Sequence, residues 1–278
     1  GVRVGQFGVG SKGNRVGGPE QFTSIYGLSG AAVMYAIQAR RYLDVFGATD
    51  DDLGAWAVNG RRNAIANPRA TMRSPITLED HRNSRMIVDP YRLLDCCLET
   101  DVGVALIVAT AAEARDLRKR PILISAGIGA AAPHDEIVDT GLRFNAPRLL
   151  AAAGVERRDI DIFYPYDNFT DCALRLVEDM DWCSRGEAGA FVREGRAGLD
   201  GEIPMNTQGG LLSEGYGHGM NNLLEAEQQL RGEAEDLCPG WRHGEHTYDR
   251  ALCRQVRGPE IAMHTSGVGT GALILQRG

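Results

Sequence analysis

Long apolar runs are absent from this 278-residue chain. None approaches the ~18 residues a bilayer-spanning helix requires, so no membrane-embedded role is expected. No signal-peptide pattern opens the sequence. Paired C-x-x-C spacings are also missing. The six cysteines (Cys96, Cys97, Cys172, Cys183, Cys238 and Cys253) sit mostly in apolar or helical contexts. Reduced, packed thiols in a cytoplasmic protein are the expectation. Positive charge is not in excess either. A net charge of −7 argues against a nucleic-acid-binding surface, although a local basic patch is compatible with it. What is present is ordinary for a globular protein: 43% apolar and 24% charged residues, enough to bury a large core in one or two domains.

The chain opens on Gly1 and a glycine-rich stretch to Gly18, followed by periodic segments. Ile25, Leu28, Ala32, Ala36 and Ala39 form an apolar stripe that predicts a helix from Pro19 to Phe46, stopped by Gly47. Thr49 ahead of Asp50-Asp51-Asp52 predicts a capped helix running to about Ala66. Pro68, Pro75 and Pro90 mark residues 68–92 as a long irregular excursion. Val102–Ala109 reads as a buried strand, Thr110–Lys119 as a helix and Pro121–Ala126 as a second strand, which together argue for an α/β layer. The rhythm returns with a helix over Asn145–Ala153, a strand over Ile160–Tyr164 and a helix over Asn168–Met180. A further helix over Asn221–Arg231 and two strands, Glu260–His264 and Ala272–Gln276, complete it.

Three glycine patterns invite a dinucleotide-binding reading: Gly8-Val9-Gly10-Ser11-Lys12-Gly13, Gly127-Ile128-Gly129 and Gly267-Val268-Gly269-Thr270-Gly271. None sits between a strand and a helix, as that fingerprint requires. Cys238, His243, His246 and Cys253 lie within sixteen residues, but C-x4-H-x2-H-x6-C matches no standard zinc spacing, and an exposed loop without metal is the expectation.

Three blocks carry the chemistry. They are Tyr164-Pro165-Tyr166-Asp167-Asn168-Phe169-Thr170, Gly209-Gly210-Leu211-Leu212-Ser213-Glu214-Gly215-Tyr216-Gly217-His218-Gly219, and His264-Thr265-Ser266-Gly267-Val268-Gly269-Thr270-Gly271-Ala272. In order, spacing and glycine placement they resemble the C-terminal half of a thiolase. There the blocks read roughly H-D-C-F or N-E-A-F, then G-G-x-x-x-G-H-P-x-G, then C-x-G-x-G-x-G-A. The reactive residues differ. Tyr216 stands where the family has histidine, Tyr166 where it has His or Asn, and Thr265 where it has a cysteine. The two tyrosines resemble those of an actinobacterial subgroup, the thiolase-like lipid-transfer proteins that act as steroid side-chain retro-aldolases.

The resemblance implies an α/β fold, a layered α-β-α-β-α sandwich. Residues 1–133 would be the remainder of an N-terminal half, incomplete in this chain, and 134–278 the C-terminal half. The chain is thus expected to be part of a longer thiolase-like unit whose earlier residues normally include a nucleophilic cysteine. The implied activity is cleavage of a β-hydroxy steroid, or other bulky, acyl-CoA to a ketone and propionyl-CoA. No cofactor is implied beyond the coenzyme A of the substrate. Implied partners are a DUF35, OB-fold protein and a second copy of the chain, together a heterotetramer. The chemistry suits tyrosine. A retro-aldol needs a base for a tertiary alcohol, a donor at the thioester oxygen and an acid for the enolate. A phenol, with an ordinary pKa of about 10 against about 6.5 for histidine, is closer to an alcohol. Tyr166 and Tyr216 are the implied acid and base in unassigned order, supported by Asn168, His218 and oxyanion donors near Gly267. The alternative is a non-catalytic acyl-CoA or lipid-binding protein on a degenerate thiolase scaffold. Thiolysis is disfavoured, since Thr265 offers no thiol.

Overall fold

A computed structural model describes residues 21–28, 30–129, 136–237 and 253–278. The glycine-rich opening, the 133/134 boundary, and Cys238, His243 and His246 of the candidate zinc loop lie outside the described residues.

The first helix, α1, spans Ala31–Phe46 rather than starting at Pro19. Gly27 and Gly30 both take positive φ, 75° and 84°, which breaks the helical path ahead of it. The second, α2 (Asp50–Ile65), begins as expected. Thr49 and Asp52 close a capping box, with the Thr49 N–H donating to the Asp52 carboxylate at 2.7 Å. The proline-rich excursion is partly ordered. It holds α3 (Leu78–Asn83) and a two-stranded antiparallel ladder of β1 (Met86–Val88) and β2 (Tyr91–Arg92).

Val102–Ala109 does not form a strand, and the predicted helix after it shrinks to α4 (Ala111–Ala114). A strand needs a neighbour to satisfy its backbone groups, and none pairs with this run among the described residues. Ile107 is 92% exposed and Val108 77%.

The remaining elements are β3 (Ile122–Gly129), α5 (Leu142–Ala153), β4 (Ile162–Tyr164), α6 (Thr170–Asp179), α7 (Ala188–Arg193), α8 (Gly210–Ser213), α9 (Met220–Arg231), β5 (Ile261–Ser266) and β6 (Gly271–Arg277). Four strands form one sheet in the order β3-β6-β5-β4. The β3/β6 and β5/β6 pairs are antiparallel, while β4 and β5 run parallel with Tyr164 opposite His264.

Side-chain alternation assigns the faces. Phe163, Met263 and Ile274 enter the main core with Leu142 and Leu149 of α5, Leu174 and Val177 of α6, and Leu53 and Trp56 of α2. Ile162, Tyr164, Ala262 and Leu275 face the other way, onto Ala226 and Leu230 of α9. The layers are therefore α9, sheet, then α5 and α6, with α2 beyond. Every residue of α6 is buried, and its polar side chains are paired: Arg175 meets Asp171 at 2.9 Å, and the Tyr91 hydroxyl also bonds Asp171. No helix of the described residues is long and apolar enough to cross a membrane.

Cys96, Cys97, Cys172 and Cys183 are free thiols. Cys253 is disulfide-bonded, which corrects the expectation of reduced cysteines throughout and removes its thiolate as a metal ligand.

Candidate active site

Two parallel strands end side by side, and the three sequence blocks meet at their carboxyl ends. Ligand sites favour that position in open α/β sheets, because loops and helix N-termini gather there. Tyr166 leaves β4 through Pro165, whose carbonyl accepts a hydrogen bond from Asn206 Nδ2 at 3.1 Å. The Tyr166 backbone N–H donates to Thr265 Oγ1 of β5 at 3.0 Å, and that hydroxyl donates in turn to the Tyr164 carbonyl at 3.4 Å. Thr265 is fully buried and occupied by these backbone contacts.

Asp167 ties the first block to the second. Its carboxylate accepts from the Leu211 N–H at 2.9 Å and from Trp56 Nε1 at 3.3 Å. Gly210, at φ 65°, passes so close that a Cβ there would overlap this carboxylate. Burial pushes the Asp167 carboxyl up to about 7, against the hydrogen bonds from Leu211 and Trp56.

Beyond α8 the chain turns at Gly215 and presents Tyr216, whose backbone N–H donates to Thr100 Oγ1 at 2.8 Å. The Tyr166 and Tyr216 hydroxyls lie 2.8 Å apart. Either can be the donor, so a proton can move between them. The Tyr216 hydroxyl also lies 3.2 Å from His218 Nδ1, and the two rings pack with centroids 4.5 Å apart. Tyr166 is buried, Tyr216 half-buried and His218 exposed, so the three lead from the interior to solvent. Burial raises the pKa of both tyrosines. For Tyr166 the hydrogen bond to Tyr216 adds to the rise; for Tyr216 that bond opposes it. A phenolate on either oxygen of the pair would be held by the hydroxyl of the other.

The other predicted support residues are placed differently. Asn168 is buried beside the Tyr35 hydroxyl, and its carbonyl accepts from the Cys97 N–H at 2.9 Å. It makes no hydrogen bond to either reactive hydroxyl among the described residues. Gly267, at φ 53°, lies in the turn joining β5 to β6, braced by α5 through Gly141 N–H to the Val268 carbonyl at 3.0 Å and Asn145 Nδ2 to the Gly269 carbonyl at 3.1 Å.

The structure adds residues that sequence reading missed. The Cys97 thiol lies among the tyrosines, pushed up to about 12 by burial and then by Asp167. Thr100 and Asp167 hold backbone that no short motif flags. Beside the Gly215–Tyr216 segment opens a cleft of about 320 Å³ lined by Arg69, Thr100, Val102, Glu214, Asn221 and Leu224. Among the described residues no group of His, Cys, Asp and Glu side chains converges in a way that would hold a metal.

Comparison with known proteins places the chain in a family. A family model described as thiolase C-terminal domain-like matches residues 130–243. The chain is 39% identical over 258 residues to a 17-hydroxy-3-oxo-4-pregnene-20-carboxyl-CoA lyase of Mycobacterium tuberculosis, covering 87% of this chain and 66% of that protein. It is 41% identical over 219 residues to a steroid side-chain-cleaving aldolase of Thermomonospora curvata, covering 74% of this chain and 56% of the relative. It thus spans less than two thirds of either relative's length. A solved structure of an Ltp2–ChsH2(DUF35) aldolase superposes with a TM-score of 0.78 at 33% identity, covering 96% of this chain and 69% of that one. The chain belongs to the thiolase superfamily, in the branch of thiolase-like lipid-transfer proteins that holds the steroid side-chain-cleaving aldolases.

Proposed function

We propose that the protein is a retro-aldol lyase that cleaves a β-hydroxy steroid acyl-CoA, or another bulky acyl-CoA of that kind, to a ketone and propionyl-CoA. The observation that carries the reading is the Tyr166–Tyr216 hydroxyl pair, 2.8 Å apart where a thiolase would place its imidazole and amide groups. Tyr216, ionised to its phenolate before the cycle begins, takes the proton of the substrate hydroxyl and returns to the phenolate at the end. Its oxygen accepts from Tyr166, which favours negative charge there, and His218 orients it from the solvent side. The Cα–Cβ bond then breaks. Its electron pair forms the thioester enolate as the ketone departs. Tyr166 gives its proton to Cα and is refilled from Tyr216, so the hydroxyl proton ends on Cα and no covalent intermediate forms. Thiolysis is not open to this site, because Thr265 replaces the cysteine and its hydroxyl is engaged by backbone.

The substrate is large and apolar, which favours a deep pocket completed at a subunit interface. We infer a two-fold homodimer joined by two DUF35-type chains. The unpaired outer edge of β3 among the described residues, with Ile107, Val108 and Ile124 exposed beside it, supports a larger assembly. The DUF35 component of the Ltp2–ChsH2 structure supports the nature of the partner. A CoA thioester substrate points to a cytoplasmic setting.

The test is the product spectrum after the full chain, co-expressed with a DUF35 partner, meets a β-hydroxy steroid acyl-CoA. A ketosteroid and propionyl-CoA in equal amounts are expected. Tight binding without turnover would instead favour the non-catalytic acyl-CoA carrier. Light scattering on the co-purified complex reads the assembly, with two copies of each chain expected.

A further inference from the structure

Neither helix nor strand holds the segment that carries Tyr216. Gly215 and Tyr216 lie in irregular backbone between the end of α8 and the start of α9. Side chains hold it instead. The peptide unit joining Gly215 to Tyr216 is gripped at both ends. Its N–H donates to Thr100 Oγ1 at 2.8 Å, and its carbonyl, that of Gly215, accepts from Asn221 Nδ2 at 3.1 Å. The carbonyl one step earlier, that of Glu214, accepts from the Thr71 N–H at 3.1 Å and from the Thr71 hydroxyl at 2.9 Å.

Asn221 is fixed in turn by Glu214. The same Nδ2 donates to Glu214 Oε2 at 2.9 Å, so both hydrogens of the amide are used. A flipped amide would set its oxygen against a carboxylate and a carbonyl, both acceptors. Only one orientation is therefore open to it, and that orientation leaves Oδ1 buried without a partner among the described residues. Gly217 gives this oxygen its room, since a Cβ there would stand 3.0 Å from it. The second Glu214 oxygen, Oε1, accepts from Asn67 Nδ2 at 3.0 Å and lies 3.3 Å from Arg69 Nη2. Arg69 also meets Glu225 at 3.2 Å, and Arg254 pairs with Glu225 at 3.0 Å. Glu214, Asn221 and Glu225 are all buried.

A buried carboxylate of this kind is a poor source of stability. Its desolvation offsets most of what its partners return, and an apolar side chain of similar volume is often as good. What it supplies is direction, because each partner fixes one of its atoms. Here the direction ends on a single peptide unit, the one that leads into Tyr216.

We propose that Glu214 and Asn221 are positioning residues for the reaction: the carboxylate holds the amide, the amide holds the Gly215 carbonyl, and the peptide plane so fixed aims the Tyr216 hydroxyl at Tyr166 and the substrate. The inference rests on the lyase reading above. A proton passes between two hydroxyls only while their oxygens stay within hydrogen-bond distance. A displacement of about 1 Å can cost about 10²-fold in rate, so the backbone under Tyr216 has to be as well fixed as the ring.

The test uses the full chain with its partner. Glu214→Gln keeps the size but sets an NH2 group against the donors of Asn67 or Asn221. Asn221→Ala removes the tie to Gly215 and leaves Glu214 with Asn67 and Arg69, and it serves if Glu214→Gln does not fold. Each should lower kcat on a β-hydroxy steroid acyl-CoA about tenfold, with KM within a few-fold of wild type. In a Tyr216→Phe background the same substitutions should leave the residual rate nearly unchanged, because the group they aim is gone. A role in stability alone would lower the rate equally in both backgrounds. Amide hydrogen exchange over residues 215–218, read by mass spectrometry, reports the clamp without substrate and should quicken several-fold in either variant. Exchange as slow as in wild type, near-normal turnover, or an equal loss in both backgrounds overturns the proposal and leaves the lyase reading standing. Quickened exchange in the variants, with a wild-type complex that cleaves no β-hydroxy acyl-CoA, supports the clamp and sinks the lyase reading.

Discussion

The hydroxyl of Tyr166 lies 2.8 Å from that of Tyr216, fifty positions further along the chain. The backbone N–H of each donates to a threonine on yet another segment, Thr265 for Tyr166 and Thr100 for Tyr216. The pair is therefore a tertiary feature held from two sides.

Removing either hydroxyl should break proton transfer while leaving the fold in place. Tyr166→Phe and Tyr216→Phe are each expected to lower kcat by at least about 10²-fold, the usual scale for a lost general acid or base. Because the two act as one unit, the double variant should be little worse than the weaker single one. Steady-state kinetics beside far-UV circular dichroism reads both. Near-normal turnover in the two single variants would remove the pair from the mechanism.

Thr100 acts on Tyr216 through its backbone. Thr100→Val keeps the shape and removes the acceptor for the Tyr216 N–H. A loss of about tenfold in kcat is expected, from an active-site tyrosine no longer held in register. Thr100→Ser should restore most of the rate. An equal loss in both variants would mean that Thr100 matters through its methyl group and packing.

Gly210 should tolerate no side chain. Its φ of 65° disfavours any L residue, and a Cβ would strike Asp167. Gly210→Ala is expected to cost about 2–4 kcal/mol, the range for a strained backbone combined with a core clash. Chemical denaturation measures it directly. A variant as stable as wild type would show that the Asp167–Leu211 tie yields easily.

Stability should fall as pH rises through neutrality. Burial pushes the carboxyls of Asp167 and Glu178 up to about 7 each. Both folded-state values lie above the unfolded ones near 4, so between about pH 4 and 7 the folded state binds more protons than the unfolded state. Their contribution is greatest on the acid side of that window and is lost as pH passes about 7. Denaturation midpoints at pH 5 and pH 8 should show the drop. Glu178→Gln, which cannot ionise, should lessen it. A midpoint higher at pH 8, with no change of slope in the variant, would contradict these environments.

Much of this was legible in the sequence. Thr49 and the acids after it placed α2, Gly154 closed α5, and short apolar runs located β4, β5 and β6. These signals are local. Caps act within one turn, and burial patterns repeat every two or 3.6 residues. The blocks around Tyr166, Tyr216 and Thr265 were equally readable, because glycines with positive φ and strand-end turns have few substitutes.

Other features depended on partners distant in the chain. Val102–Ala109 has a strand's composition and no strand beside it among the described residues, so composition alone misplaced it. The helix expected from Pro19 began only at Ala31, after two left-handed glycines. Nothing near Thr100 announces its bond to Tyr216. The sequence by itself determined the capped helices, the short strands at the site, the family and the replacement of imidazole and thiol by phenol and hydroxyl, since each is written in local pattern. Which hydroxyls touch and which buried carboxyls are raised toward 7 were decided by tertiary structure. Distances, burial and charge between residues far apart in sequence exist only once the chain has closed on itself.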